Sequence, residues 1–242
     1  MASPLEQFTI KPIIEAPAGL DYTNSSLWMT IAVVSATVFL VGGMRKREMV
    51  PGPWQSMAES VYEFIGNMIR DNVGSEGRKF FPLVFTIFMF VLFGNALGMV
   101  PGSFTYTSHI IVTFALALFV FLFVTLVGLA KHGLHFFSFF VPDGAPKFLY
   151  PLIIPIEIIS YLSRPISLSV RLFANMVAGH TMLKVFAGFV FTLGAATFGV
   201  GALAPLGINV LLIGFEFMIA FIQAYVFTIL TCLYLNDALH LH

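Results

Sequence analysis

Residues 110–130 read IIVTFALALFVFLFVTLVGLA, a run of 21 residues that contains no charge. Residues 80–100 form a second uncharged run of the same length, and residues 27–43 form a shorter one. A helix needs about 20 predominantly apolar residues to cross the hydrocarbon core of a bilayer. We therefore predict a membrane span in each of these three segments.

The composition of the whole chain is typical of a membrane protein. Its 242 residues are 58% hydrophobic and 10% charged, with a mean hydropathy of +0.93, whereas a soluble domain carries about 25% charged residues. Basic and acidic residues balance at twelve each, so no net field favours nucleic acid. The single cysteine, Cys232, excludes a disulfide framework and a multi-cysteine metal centre. We expect an integral membrane protein with no cofactor, no metal site and no nucleic-acid partner.

Two further apolar stretches, residues 148–190 and 206–238, are longer than a span requires. The part of the second stretch from residue 206 to residue 235 would extend roughly 45 Å as a helix, against a hydrocarbon core of about 30 Å. We therefore predict that both stretches are steeply tilted helices and that they form a hairpin. The alternative is that Pro165 breaks the first stretch into two spans.

Residues 51–73 have the pattern of an amphipathic helix. Glu59, Glu63 and Asn67 occupy one face, and apolar residues recur at helical spacing on the other, namely Trp54, Met57, Val61, Phe64, Ile65, Met68 and Ile69. Such a helix lies in the membrane interface and does not cross the bilayer. The predicted fold is an all-α integral membrane protein, a single membrane domain with about five transmembrane helices and one interfacial amphipathic helix.

The basic residues between the spans predict the orientation. If Arg45 is cytoplasmic, its side of the membrane collects eight basic residues, and the opposite side has Lys11. The eight are Arg45, Lys46, Arg47, Arg70, Arg78, Lys79, Lys131 and Lys147. Because cytoplasmic loops carry the excess of Lys and Arg, we predict that residues 1–26 lie outside and that the C-terminus is cytoplasmic. Residues 27–43 then form an uncleaved anchor.

The two long stretches carry charges that an ordinary span lacks. At 100° per residue, six polar residues of the first stretch fall within an arc of about 80°, namely Glu157, Ser160, Arg164, Ser167, Arg171 and Asn175. In the second stretch, Asn209, Glu216 and Gln223 repeat every seven residues and share a helix face. Ionisable groups inside a membrane are costly and therefore indicate function. The alternative is a buried polar seam that links helices.

The residue types indicate proton movement. A histidine and a glutamate on adjacent helices, His180 and Glu216, can exchange protons, since the unperturbed pKa values of these residue types straddle mildly acidic pH and burial can move both. Arg171 cannot, since a guanidinium stays protonated, and it is therefore a fixed positive charge that repels a proton and attracts a carboxylate. Two alternatives remain open: Arg171 forms a structural ion pair with Glu157 or Glu216, or Glu216 and His180 form a hydrogen-bonded pair that holds the hairpin.

Two motifs carry a family resemblance. Residues 162–180, LSRPISLSVRLFANMVAGH, resemble the signature segment of the a subunit of F-type ATP synthases, and residues 215–227, FEFMIAFIQAYVF, resemble the last helix of that family. The resemblance extends over nearly the whole chain. It implies a non-catalytic subunit that couples proton flow to rotation of a ring of c subunits. Because the chain has no GxxxxGK[ST] loop, ATP chemistry belongs to other subunits.

The resemblance also implies roles for individual residues. Arg171 matches the arginine that faces the c-ring and separates two half-channels, and Asn175 and Gln223 match its polar neighbours. His180 and Glu216 match a pair in the outer half-channel, to which the family pattern adds Asn95. His109 is a further candidate for the lining of the outer mouth, where this chain departs from the pattern of some relatives.

For the inner half-channel, the resemblance assigns Glu157, Ser160 and Ser167. Some relatives carry an aspartate where this chain has Gly98. Small residues on the ring-facing helix would permit close approach of the ring, namely Ala174, Ala178 and Gly179.

The resemblance implies partners and a location as well. The expected partners are the c-ring, b-type peripheral stalk subunits, the other subunits of an F-type ATP synthase and membrane lipid. The expected location is the bacterial inner membrane, with the mitochondrial inner membrane as the alternative.

Other classes of membrane protein fit the sequence less well. A haem-binding electron-transfer subunit would need paired intramembrane histidines, and a secondary transporter would show inverted repeats around a midplane site. A purely structural assembly subunit would not need a polar ladder along one helix. Whether the ion is a proton or sodium is not decided by this chain alone.

Overall fold

A computed structural model describes residues 8–15, 21–45, 48–100, 102–133, 135–136 and 147–240. Lys46 and Arg47, which contribute to the predicted orientation, lie outside the described residues, as do parts of the predicted external segment 1–26.

Within the described residues, the chain forms six α-helices and a short antiparallel pair of strands. The strands are β1 (Pro12–Ile14) and β2 (Tyr22–Thr23), and the helices are α1 (Asn24–Met44), α2 (Pro53–Val73), α3 (Phe81–Gly98), α4 (Ile110–His132), α5 (Tyr150–Ala196) and α6 (Leu203–Leu239). Five helical segments in the described part of the chain are long and apolar enough to cross a membrane. Three of them are α1, α4 and α5, and the other two are α3 and α6, each extended by the 3₁₀ turn that precedes it. The all-α membrane fold predicted from the sequence is confirmed.

The helix α5 continues through both of its prolines. Pro155 and Pro165 lie inside a helix of 47 residues, although each removes one backbone hydrogen bond. The alternative in which Pro165 divides the segment is therefore wrong. At 1.5 Å per residue, α5 is about 70 Å long and the 37-residue α6 is about 55 Å long. Both helices exceed the thickness of a hydrocarbon core, so their tilt in the membrane stays a prediction.

The chain divides into two compact units. The first contains residues 1–39, 89–110 and 172–225, and the second contains residues 40–88, 111–171 and 226–242. In the first unit, the portions of α5 and α6 run antiparallel, and its buried apolar residues include Val91, Met99, Tyr106, Leu172, Met176 and Ala224. The Tyr106 hydroxyl donates a hydrogen bond to the Phe90 carbonyl oxygen, so this buried phenol is satisfied.

The second unit contains α2 and α4 and the remaining parts of α5 and α6. Its buried apolar residues include Ile65, Ile69, Val84, Phe88, Val120, Leu168, Phe227 and Leu235. The face of α2 that carries Ile65, Met68 and Ile69 is buried, whereas Trp54 and Met57 are more than half exposed. On α4, Ile111 and Leu126 are also mainly exposed. An apolar outer surface of this kind suits lipid, which solvates such side chains as well as a protein core does.

Candidate functional site

The first unit brings His180 and Glu216 together. The His180 Nε2 atom lies 3.7 Å from the Glu216 Oε1 atom, so a small movement would complete a hydrogen bond. Glu216 is 2% exposed, and neither of its carboxyl oxygens has a hydrogen-bond partner among the described residues. Glu216 is thus held beside His180 with its hydrogen-bonding capacity unused in the described part of the chain.

Gly179 makes room for the Glu216 side chain. A Cβ atom added at Gly179 would lie 2.6 Å from Glu216 Oε1 and 2.7 Å from its Cδ, closer than non-bonded atoms approach. The space beside Gly179 is therefore occupied by Glu216, which corrects the expectation that this glycine admits the ring. Ala174 and Ala178, which carry the same expectation, are exposed.

Thr105 is a further member of this site that the sequence did not indicate. Its Oγ1 atom lies 3.0 Å from His180 Nε2 and donates a hydrogen bond of 3.1 Å to the Gly98 carbonyl oxygen. Thr105 precedes a short 3₁₀ turn in the α3–α4 connection and is 5% exposed. A threonine in a turn has no sequence feature that would mark it as a partner of a histidine 75 residues away.

A cavity of about 470 Å³ opens beside His180 in the first unit. Its lining includes Phe8, Ser103, Thr105, Lys184 and Asn209, and the Phe8 ring meets the His180 ring edge-on at 6.4 Å. Glu216, Asn95 and His109 are not among the described residues that line it. The cavity gives His180, but not the glutamate behind it, direct contact with the space inside.

Asn95 and His109 lie elsewhere in the first unit. Asn95 is fully buried and its Nδ2 group donates to the Ala220 carbonyl oxygen, one helical turn after Glu216. His109 stacks on Phe104 at 5.1 Å, and burial lowers the pKa of this histidine. Both residues thus belong to the same unit as the His180–Glu216 pair.

Asn175 and Gln223 contact each other directly. The Asn175 Nδ2 group donates to Gln223 Oε1 at 2.8 Å, which joins α5 to α6 within the first unit. The family resemblance implied that both residues are neighbours of Arg171, without pairing them with each other.

The remaining predicted residues belong to the second unit and lie on α5. Arg171, Ser160 and Ser167 are exposed, and Glu157 is half-buried. In the described part of the second unit, no acidic side chain forms an ion pair with Arg171. The structural ion pair between Arg171 and Glu157, one of the alternatives left open above, is therefore absent from the described structure.

Arg164, by contrast, is held by a carboxylate and two aromatic rings. Its Nη1 atom lies 2.9 Å from Asp237 Oδ2, and its guanidinium carbon lies 4.9 Å from the Tyr234 ring centroid and 5.3 Å from that of Tyr161. The sequence reasoning missed Asp237, although a signal was present. The seven-residue repeat of Asn209, Glu216 and Gln223 continues through residue 230 to Asp237.

No group of three or more His, Cys, Asp or Glu side chains that could hold a metal ion occurs in the described part of the chain.

The fold and the site define a class of protein: an all-α membrane protein whose two longest helices carry a buried histidine–glutamate pair and an exposed arginine. The model of the ATP synthase A chain family matches residues 25–236. The chain therefore belongs to the ATP synthase A chain family.

Individual relatives agree with this assignment. The chain is 57% identical to the ATP synthase subunit a of Rhodospirillum rubrum and 55% identical to that of Paramagnetospirillum magneticum, with both chains covered completely in each case. It is 56% identical to the ATP synthase subunit a of Rhizobium etli, over 98% of this chain and 97% of the relative.

Proposed function

We propose that the chain is the proton-translocating a subunit of a rotary F-type ATP synthase. In this role it offers two offset half-channels to carboxylates on a ring of c subunits, and proton flow through them drives rotation of the ring. The observation that carries the proposal is Arg171, an exposed arginine on an apolar helix with no ion-pair partner in the described part of its own unit. A membrane-embedded charge needs a counter-charge, and a carboxylate on a neighbouring subunit supplies one.

The outer half-channel is built around His180 and Glu216. A proton that reaches the cavity beside His180 binds the imidazole, and a small movement that closes the 3.7 Å separation from Glu216 allows transfer to the carboxylate. Glu216 then delivers the proton to the ring. Two further polar groups of the same unit support this half of the path, namely Asn95 and His109. Asn95 donates a hydrogen bond to α6 one turn after Glu216.

Arg171 is the barrier in this mechanism. It remains protonated, so it stabilises the ionised ring carboxylate and repels a proton that would pass straight between the half-channels. Asn175, four residues further along α5, is fixed by its hydrogen bond to Gln223. The family resemblance assigns both residues as polar neighbours of the arginine.

The inner half-channel uses the exposed polar face of α5. Ser160 and Ser167 precede Arg171 on that face, and Glu157 lies one further turn away. A ring carboxylate that has completed nearly a full turn releases its proton there. Each charge moved through the membrane potential supplies about 2.3 kcal/mol per 100 mV, which is the free energy available for torque.

The assembly and orientation follow from the same role. We propose the c-ring, b-type peripheral stalk subunits and the other ATP synthase subunits as partners, and lipid around the remaining apolar surface. The bacterial inner membrane is the proposed location, with the N-terminus outside and the C-terminus in the cytoplasm. The chain itself does no ATP chemistry in this scheme.

The test is Arg171→Ala in the assembled complex, reconstituted into vesicles. ATP-driven acidification and passive proton leak under an imposed potential are measured per assembled complex. We expect acidification to be lost while leak is maintained or increased, because the barrier and the partner of the ring carboxylate are both removed. Arg70→Ala, which removes an exposed arginine from α2, is the control and should behave as the unmodified protein. Normal pumping by the Arg171→Ala complex would make Arg171 structural and would refute the proposal.

A further inference from the structure

Thr105 lies in the α3–α4 connection and contacts the histidine of the proposed proton path. We propose that Thr105 is a positioning residue that keeps the His180 ring within reach of Glu216 throughout the proton cycle. This inference rests on the proposed function, because it assigns Thr105 a part in proton transfer and not only in packing.

A count of protons on the threonine hydroxyl supports the assignment. A hydroxyl group has one hydrogen to donate and two lone pairs to accept with. The hydrogen of Thr105 goes to the Gly98 carbonyl oxygen, so its oxygen accepts from a protonated His180 Nε2 at 3.0 Å. That same Nε2 atom faces Glu216 Oε1 at 3.7 Å. The Nε2 proton therefore lies between a fixed acceptor and the carboxylate that is to receive it.

The hydroxyl can also serve the deprotonated ring. Once the Nε2 proton has left, rotation about the Cβ–Oγ1 bond turns the Thr105 hydrogen from the Gly98 carbonyl oxygen to the Nε2 lone pair. The ring thus keeps a hydrogen bond of unchanged heavy-atom geometry in either state. Without it, a deprotonated Nε2 would be a buried acceptor without a partner, which is costly.

The backbone around Thr105 is arranged to hold it in place. The Gly98 carbonyl oxygen accepts from both Thr105 and Ser103, at 3.1 and 2.9 Å, and so uses both of its lone pairs. A Cβ atom added at Gly98 would lie 2.6 Å from Thr105 Oγ1 and 2.7 Å from its methyl carbon. Gly98 therefore leaves the space that Thr105 occupies, and any side chain at this position would displace the threonine.

The other groups that face His180 do not replace this contact. Glu216 approaches from α6 beyond hydrogen-bond distance, Phe8 presents the edge of its ring, and Lys184 lies one turn along α5 and lines the same cavity. The Lys184 ammonium group has no lone pair and cannot accept a hydrogen bond from the protonated Nε2 atom of His180. Among the described contacts, the Thr105 hydroxyl is the one that orients the ring by a hydrogen bond.

The test compares two changes at position 105. Thr105→Val removes the hydroxyl and keeps the shape, and Thr105→Ser keeps the hydroxyl. Thr107→Val is the matched control, since Thr107 is 2% exposed and its Oγ1 has no hydrogen-bond partner among the described residues.

Proton conduction and ATP-driven acidification are measured in vesicles, per assembled complex. We expect Thr105→Val to slow both roughly tenfold, the cost of one hydrogen bond to a group that becomes charged, while Thr105→Ser and Thr107→Val stay near the unmodified rate.

A second comparison separates positioning from packing. In a His180→Ala background, Thr105→Val should cause no further loss, because Thr105 acts through the histidine and the two effects do not add. Unchanged conduction in Thr105→Val, an equal loss in Thr105→Ser, or a full additional loss in the His180→Ala background would each overturn the inference. If the valine variant does not assemble, Thr105→Ala takes its place in both comparisons. Normal conduction by His180→Ala alone would instead refute the proposed outer half-channel, so the two failures are distinguishable.

Discussion

Arg164 and Arg171 lie seven residues apart on the same helix, in the same compact unit, yet their surroundings differ. Arg164 has 22% of its side chain exposed, pairs with Asp237 and lies over two tyrosine rings. Arg171 is exposed, and no acidic side chain in the described part of its unit pairs with it. One arginine is neutralised within the chain, and the other is presented outward.

This difference separates two uses of charge in a membrane protein. A guanidinium with a carboxylate and stacked aromatic rings fixes one helix against another, because all of its interactions are made within the chain. A guanidinium without a counter-charge is costly in an apolar environment, so it is retained for a partner that comes from elsewhere. On this reasoning Arg164 holds α5 to α6, and the proposed function assigns Arg171 to the ring.

The largest expected effect comes from Arg171→Lys, with Arg164→Lys as its comparison. Arg171→Lys keeps the charge but loses the planar group that can bind a carboxylate through two parallel hydrogen bonds, and a lysine can release its proton when desolvated. We expect ATP-driven pumping per complex to fall roughly tenfold, the equivalent of one hydrogen bond to a charged group. Arg164→Lys should leave pumping per complex unchanged, and equal losses at the two positions would remove the distinction between them. The measurement is acidification of vesicles normalised to complex content.

A smaller effect, on stability, is expected from Asp237→Asn. The change leaves the Arg164 charge without its carboxylate, and the pair is partly exposed, so we expect a loss of about 1–3 kcal/mol, between the values for exposed and for buried pairs. The measurement is the temperature at which the solubilised complex loses this subunit. The double variant Arg164→Met, Asp237→Leu removes both charges and should recover most of the loss. A double variant as unstable as Asp237→Asn would show that the ion pair is not the cause.

The fold could be predicted from the sequence because a bilayer permits few solutions. Uncharged runs near 20 residues specify spans, and the amphipathic pattern of residues 51–73 marks α2 as the exception. The continuity of α5 could not be predicted. A proline inside an apolar run is compatible with a break or with an unbroken helix, and the choice depends on tertiary packing, in which Pro165 is buried.

The site was predictable where helical spacing determines it. Glu216, Asn175 and Gln223 are marked by polarity at a regular interval, and His180 is marked by its residue type. The structure pairs the four residues two by two. Thr105 was not predictable, because its contact with His180 depends on how the α3–α4 connection folds over α5. Gly179 was misjudged for a similar reason, since only the structure shows that the Glu216 side chain lies against it.

The most direct measurement is cross-linking from α5 to the ring. In a chain whose single cysteine is removed by Cys232→Ala, Ser167→Cys places a thiol on the exposed face one turn before Arg171, and Ser169→Cys places one at a position that is 1% exposed. Each is combined with a cysteine beside the membrane carboxylate of the c subunit and oxidised in the membrane. We predict that Ser167→Cys cross-links to the c subunit and that Ser169→Cys does not. Absence of a cross-link from Ser167→Cys, or equal cross-linking from both positions, would contradict the claim that the face carrying Arg171 meets the ring.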